Sequence, residues 1–240
     1  MAKWLITAVA AIFLLSACST GPTDHRVLFI GNSFTHGNEM PDTVRRIADA
    51  NGVAIDVEMI APGGAFLDEH LLNPDVADRL RSGDFDTVVF QEQSVITSVR
   101  AMSAQRTVPA ALALDRIADA SGVRVVWFQT WGHRNGFPDV GHTGYTSMQA
   151  QIVATYDQIA EQTGGRVAPV GEAWQHTNSL GQGIDLYAAD AVHPSPAGSY
   201  LAALELTDAI IAPPILESPS VGDVDDEIAA TLLASVQSAP

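Results

Sequence analysis

From Arg26 onward, short apolar runs alternate with longer stretches whose apolar positions recur at helical spacing. Val27-Leu28-Phe29-Ile30 reads as a strand buried on both faces, because four apolar residues in a row leave no polar face for solvent. Met40, Val44, Ile47 and Ala48 then share one side of a helix over 40–50, with Pro41 in its first turn and Gly52 just past its end. The same logic predicts strands over 54–60, 87–90, 123–129 and 166–170. It predicts helices over about 67–80 (interrupted at Asn73-Pro74), 108–120, 146–162 and 196–211. Strand and helix alternate throughout. The expected fold class is therefore α/β: a three-layer α/β/α sandwich around a parallel sheet of about five strands.

The two ends break this pattern. Lys3 precedes an apolar run, Trp4 to Leu15, too short to span a bilayer but of the size of a secretory signal core. It ends in Leu15-Ser16-Ala17-Cys18, which resembles the bacterial lipoprotein signal, where cleavage precedes the cysteine and that cysteine receives the lipid. Cys18 is the only cysteine, so no disulfide can form within one molecule. The resemblance implies an exported protein, anchored to the cell envelope through Cys18. Ser19 in the next position is similar to the outer-membrane sorting pattern. The expected organisation is a signal over 1–17, a lipidated cysteine and tether over 18–25, and one folded domain over 26–212. A linker and tail follow over 213–240, in which EIAATLLASV forms a short helix that docks or stays free.

Composition limits the partners. The 240 residues, 47% hydrophobic, suffice for one domain with a substantial core. With 28 acidic residues against 12 Lys and Arg, the net charge is -16. Such a chain lacks the basic surface that phosphate backbones require, so nucleic acid is not an expected partner.

In parallel α/β sheets, ligands bind beyond the carboxyl ends of the strands. Ser33 follows the first strand on a sharp turn beginning at Gly31. Gly63-Gly64 follow the second, Gln91 to Ser94 the third, and Gln129 to Arg134 the fourth. A serine nucleophile needs a base in reach and a third group to orient that base. Asp190 stands three residues before His193 in DAVHPSPAG, a spacing at which a turn sets the two side chains together. The same residues also fit a plain turn ahead of a helix capped by Ser195. Trp131 and Arg134 offer an aromatic and a cation for a substrate wall, although Trp131 equally suits a core anchor. Glu92 is placed to act on His193 or on a substrate hydroxyl. Asn32 reads as a brace of its turn. The pairs His36/Glu39 and His133/His142 have no convincing third ligand, so no metal is expected.

VLFIGNSFT near the start, the glycine pair after the second strand, the polar cluster after the third and DAVHPSPAG near the end together resemble the SGNH (GDSL-like) hydrolase superfamily. The match is to a bacterial branch whose first block reads GNSFT, and it covers about residues 26–212. The resemblance implies Ser33 as nucleophile, His193 as base and Asp190 as its orienting carboxylate. It implies an oxyanion hole from the Ser33 and Gly64 N–H groups and the third-block side chain. There this sequence departs: the family's asparagine position holds Gln93, which supplies the same amide one methylene further out or else ties loops together. The activity implied is that of a cofactor-independent serine esterase, with acetylated carbohydrate as substrate class. A lipid or lysophospholipid ester is the second substrate class, and a non-catalytic glycan-binding surface lipoprotein is the alternative of a different kind.

Overall fold

The computed structural model describes residues 25–211 and 214–239. The signal and Cys18 lie outside the described residues. Five strands are built: β1 (His25–Ile30), β2 (Ile55–Ile60), β3 (Thr87–Phe90), β4 (Arg124–Phe128) and β5 (Arg166–Ala168). All pairings are parallel, in the order β2-β1-β3-β4-β5. The direction of winding reverses between β1 and β3, the place where open α/β sheets form ligand crevices.

The apolar runs explain the layers. In β1, Val27 and Phe29 join one core cluster while Leu28 and Ile30 join the other, and all four are wholly buried. Each such side chain contributes about 1.5–3 kcal/mol by leaving water. On the first face lie α2 (Met40–Ala50), α9 (Val170–Ser179), α10 (Pro196–Ile210) and α11 (Asp226–Ser238). On the second lie α3 (Leu67–Leu72), α4 (Pro74–Arg81), α7 (Val108–Ala120) and α8 (Tyr145–Thr163). The expected sandwich and its five strands are thus present.

Two segments differ from expectation. The fifth strand stops at Ala168 instead of running to Val170, because Pro169 has no N–H for the ladder and is the N-cap of α9. Between β3 and α7, where no element is predicted, the chain is helical: α5 (Ser94–Ser98), α6 (Arg100–Met102) and a π turn over Ser103–Thr107 that leads into Val108-Pro109. Of the two courses open to the stretch after 213, docked or free, the chain takes the docked one. Ile215, Val224, Ala229, Leu232 and Leu233 are buried in the first cluster, and Thr177 and Ser235 share a 2.6 Å hydroxyl contact between α9 and α11.

Candidate active site

Ser33 opens a single helical turn, α1 (Ser33–His36). Asn32 caps that turn, its Oδ1 accepting from the Phe34 N–H at 3.1 Å while its Nδ2 donates to the Ala65 carbonyl at 3.0 Å. An aspartate would supply the cap but not the second bond, so the amide ties the Ser33 turn to the loop after β2. From the β3 side, Gln91 Oε1 accepts from the Asn32 N–H at 2.8 Å and from Thr35 Oγ1 at 2.9 Å. Gly31 is required by close approach: a Cβ there would sit 2.2 Å from Thr35 Oγ1 and 2.6 Å from Gln91 Oε1. The turn is therefore held from both neighbouring strands.

The residues of DAVH, 160 positions away, meet this turn. Ser33 Oγ is 3.0 Å from His193 Nε2, and His193 Nδ1 is 2.6 Å from Asp190 Oδ2. A carboxylate only accepts, so Nδ1 carries the proton and Nε2 is left to accept from the serine O–H. Asp190 Oδ1 accepts in addition from the Val192 and His193 N–H groups, at 3.0 and 2.9 Å. The hydrogen bond from His193, with these backbone donors, holds the Asp190 carboxyl down at a pKa of about 2. Ala191, between them, adopts the left-handed φ of 62°. The turn that places acid and base together thus stores strain.

A cavity of about 430 Å³ opens over Ser33 and His193, with Gly63, Gly64 and Gln93 in its wall. Gly64 has a φ of 74°, which favours glycine. Among the described residues the N–H groups of Ser33 and Gly64 donate no hydrogen bond. Gln93 caps α5, its Oε1 accepting from the Ile96 N–H at 3.0 Å, which fixes the amide and leaves Nε2 without a partner among the described residues. The two readings of Gln93, structural tie and free donor, therefore describe opposite ends of one side chain.

Three expected wall residues lie elsewhere. Trp131 is wholly buried, stacked between Phe34 at 4.5 Å and Trp174 at 4.2 Å, with its Nε1 donating to the Val192 carbonyl at 3.0 Å. It braces the histidine loop from behind, because a ring of that size gains more from the core than from the rim. Arg134 turns outward to pair with Asp185 and lies over the Tyr187 ring at 4.8 Å. Glu92 is 1% exposed and accepts from the N–H groups of Leu67 and Gln93 and from Thr107 Oγ1. It is an interior tie between β3 and the helices beyond, and burial pushes its pKa up to about 7. The residue missed as a wall is His133, with Ser94: both are buried and line the cavity. The other weighed histidines bond to backbone, His36 Nδ1 to the Ala61 carbonyl and His142 Nε2 to the Ser98 carbonyl, each at 2.7 Å. Among the described residues no three metal-binding side chains come together.

No protein-family model matches the chain, and no curated protein does. Solved structures do. A DUF4886 family protein from Bacteroides uniformis superposes with a TM-score of 0.74 at 18% identity, over 88% of this chain and 92% of that one. An acetylxylan esterase from Geobacillus stearothermophilus gives 0.57 at 17%, over 78% and 94%. At these identities the likeness is one of fold. A protein from Slackia heliotrinireducens, described as an SGNH hydrolase, gives 0.63 at 34% identity, over 77% of this chain and 98% of that one. Identity at that level along essentially the whole relative accompanies the shared fold, and the chain belongs to the SGNH hydrolase superfamily.

Proposed function

We propose that the protein is a serine esterase in which Ser33, His193 and Asp190 form the catalytic triad and a short acyl group on a carbohydrate is the substrate. The observation that carries this reading is the continuous chain Ser33 Oγ, His193, Asp190, at 3.0 and 2.6 Å, at the floor of an open cavity. As Ser33 Oγ attacks the ester carbonyl, His193 Nε2 takes its proton, and Asp190 stabilises the imidazolium. The oxyanion is met by the Ser33 and Gly64 N–H groups and by Gln93 Nε2, one such donor contributing about 2.7–4 kcal/mol. His193 then protonates the leaving alcohol, and a water repeats the sequence on the acyl-enzyme. Every proton travels through a side chain already in place, so no cofactor is needed.

The cavity favours a short acyl group over a lipid. Phe34 and Val192 are its apolar side chains, facing Gln93, Ser94 and His133, whereas a long acyl chain needs a continuous apolar groove. The strongly acidic chain also favours an uncharged substrate. The acetylxylan esterase of the same fold acts on a substrate of this kind. The N-terminal sequence supports an envelope location through an acylated Cys18, tested by metabolic labelling with an alkyne fatty acid in wild type and Cys18→Ser.

The decisive experiment is hydrolysis of p-nitrophenyl acetate together with labelling by a fluorophosphonate. Both are expected in the wild type. Ser33→Ala should abolish labelling and lower turnover by at least about 1,000-fold. A folded wild-type protein that neither hydrolyses nor labels would put the glycan-binding reading ahead.

A further inference from the structure

The reaction above leaves one imidazole of the cavity without a task. His133 is 8% exposed and lines the same cavity as Ser33 and His193. Its Nε2 is 3.2 Å from Ser94 Oγ, its ring meets Phe137 edge-on at 5.8 Å, and its backbone N–H faces Met148 Sδ. Ser94 is itself buried at the start of α5. The ring is thus held on several sides, while its Nδ1 makes no hydrogen bond among the described residues. Burial first, and the neighbouring His193 second, hold the His133 pKa below its ordinary value, so the ring stays neutral. A neutral imidazole beside a rotatable hydroxyl presents either a donor or an acceptor without adding charge.

The side of the cavity decides which part of an ester it meets. Residues 131–134 run along the loop that carries the base: Trp131 Nε1 donates to the Val192 carbonyl, Tyr187 O–H to the Gly132 carbonyl, and the Arg134 N–H to the Ala191 carbonyl. The leaving oxygen must come within hydrogen-bond reach of His193 Nε2 to be protonated, while the carbonyl oxygen turns to the donors of Gly64 and Gln93. The alcohol part therefore extends along the His193 side, past Val192 and His133.

We propose that His133, held by Ser94, is a specificity-determining residue that hydrogen-bonds a free hydroxyl on the alcohol part of the ester, selecting partly acylated polyols over simple alkyl or aryl esters. This rests on the esterase reading and names the feature of the substrate that the site recognises. A site built to bond a hydroxyl rejects the analogue lacking it more strongly than an apolar pocket rejects a missing methylene.

The test compares kcat/KM on three esters: a monoacetylated methyl glycoside with a free hydroxyl beside the ester, the same glycoside with that hydroxyl methylated, and p-nitrophenyl acetate. The wild type should prefer the free hydroxyl by about tenfold or more. His133→Leu should erase that preference, with kcat/KM on the free-hydroxyl glycoside falling at least about tenfold further than on p-nitrophenyl acetate. Ser94→Ala, which keeps the ring against Phe137 but removes its hydroxyl partner, should shrink the preference part way and reads the effect even if His133→Leu fails to fold. A preference that survives in folded His133→Leu overturns the proposal, as does a parallel fall on all three esters. A wild type that cleaves p-nitrophenyl acetate but does not distinguish the two glycosides overturns it alone; a wild type that cleaves none of the three overturns the esterase reading with it.

Discussion

Asn38 donates from its side-chain amide to Ser199 Oγ at 2.8 Å and, from the same nitrogen, to the Pro194 carbonyl at 3.2 Å. It thereby joins the segment behind the Ser33 turn to the residue that follows His193. Asn38 and Glu39 both stand in the left-handed region, at φ 51° and 53°, a conformation that costs a non-glycine residue about 1–2 kcal/mol. Asparagine tolerates it best among residues that can also reach across.

Asn38→Ala keeps the strained backbone and loses both bonds, so stability should fall by about 1–2 kcal/mol and kcat by roughly tenfold. Asn38→Gly should recover part of the stability but not the rate. Thermal melts beside steady-state kinetics separate the two effects; equal recovery of both would show that the bridge does not position the site.

Asp190 gives a pH test with a defined sign. Its folded pKa, about 2, lies below the ordinary carboxyl value, so its contribution to stability is present above about pH 4 and is lost as pH falls towards 2. The stability gap between wild type and Asp190→Asn should therefore be widest at neutral pH and close towards pH 2. At pH 7 the variant should lose about 1,000- to 10,000-fold in kcat, because the imidazole is no longer held in the useful tautomer.

Glu92 has the opposite sign. With its pKa pushed up to about 7 by burial, the folded protein keeps a proton that the unfolded chain releases from about pH 4.5. The Glu92 contribution to stability should decline from there to about pH 7 and then level off. Glu92→Gln retains an oxygen for the Leu67 and Gln93 N–H groups, and should gain up to ~3 kcal/mol over wild type above pH 7 but little at pH 4.5. Glu205, also pushed up to about 7 by burial, contributes in the same window and cancels in that difference. Urea titrations of both proteins across the window measure it.

Trp131 separates a wall from a brace. Trp131→Ala removes the middle ring of the Phe34–Trp131–Trp174 stack and should cost about 3–5 kcal/mol in a denaturant titration. Trp131→Phe restores a ring without the Nε1 bond to Val192, so it should recover most of the stability while kcat stays reduced, with KM little changed.

The sheet was legible wherever burial on both faces left a continuous apolar run, as in Val27 to Ile30 and Thr87 to Phe90. The bounds of α2 and α7 were legible through their periodicity. Strand-end placement and a three-residue turn made Ser33, Asp190 and His193 candidates, and their reading as one set rested on the resemblance of GNSFT and DAVHPSPAG to the SGNH blocks. The helices between Ser94 and Thr107 were not legible, because their polar side chains spend their hydrogen bonds on the backbone nearby, as Thr97 Oγ1 does on the Ser94 carbonyl and Ser98 Oγ on the Val95 carbonyl. Nor could sequence order show that Trp131 turns inward while His133 faces the cavity. Past the end of β4 the alternation rule lapses, and the partners that choose, Phe34, Trp174 and Ser94, come from three other elements.

β1 enters the domain at His25 and delivers Ser33 just beyond its far end. Six residues of strand span about 20 Å, so His25 stands at the pole opposite the cavity mouth. A support attached on the His25 side would therefore leave the cavity mouth facing away from it.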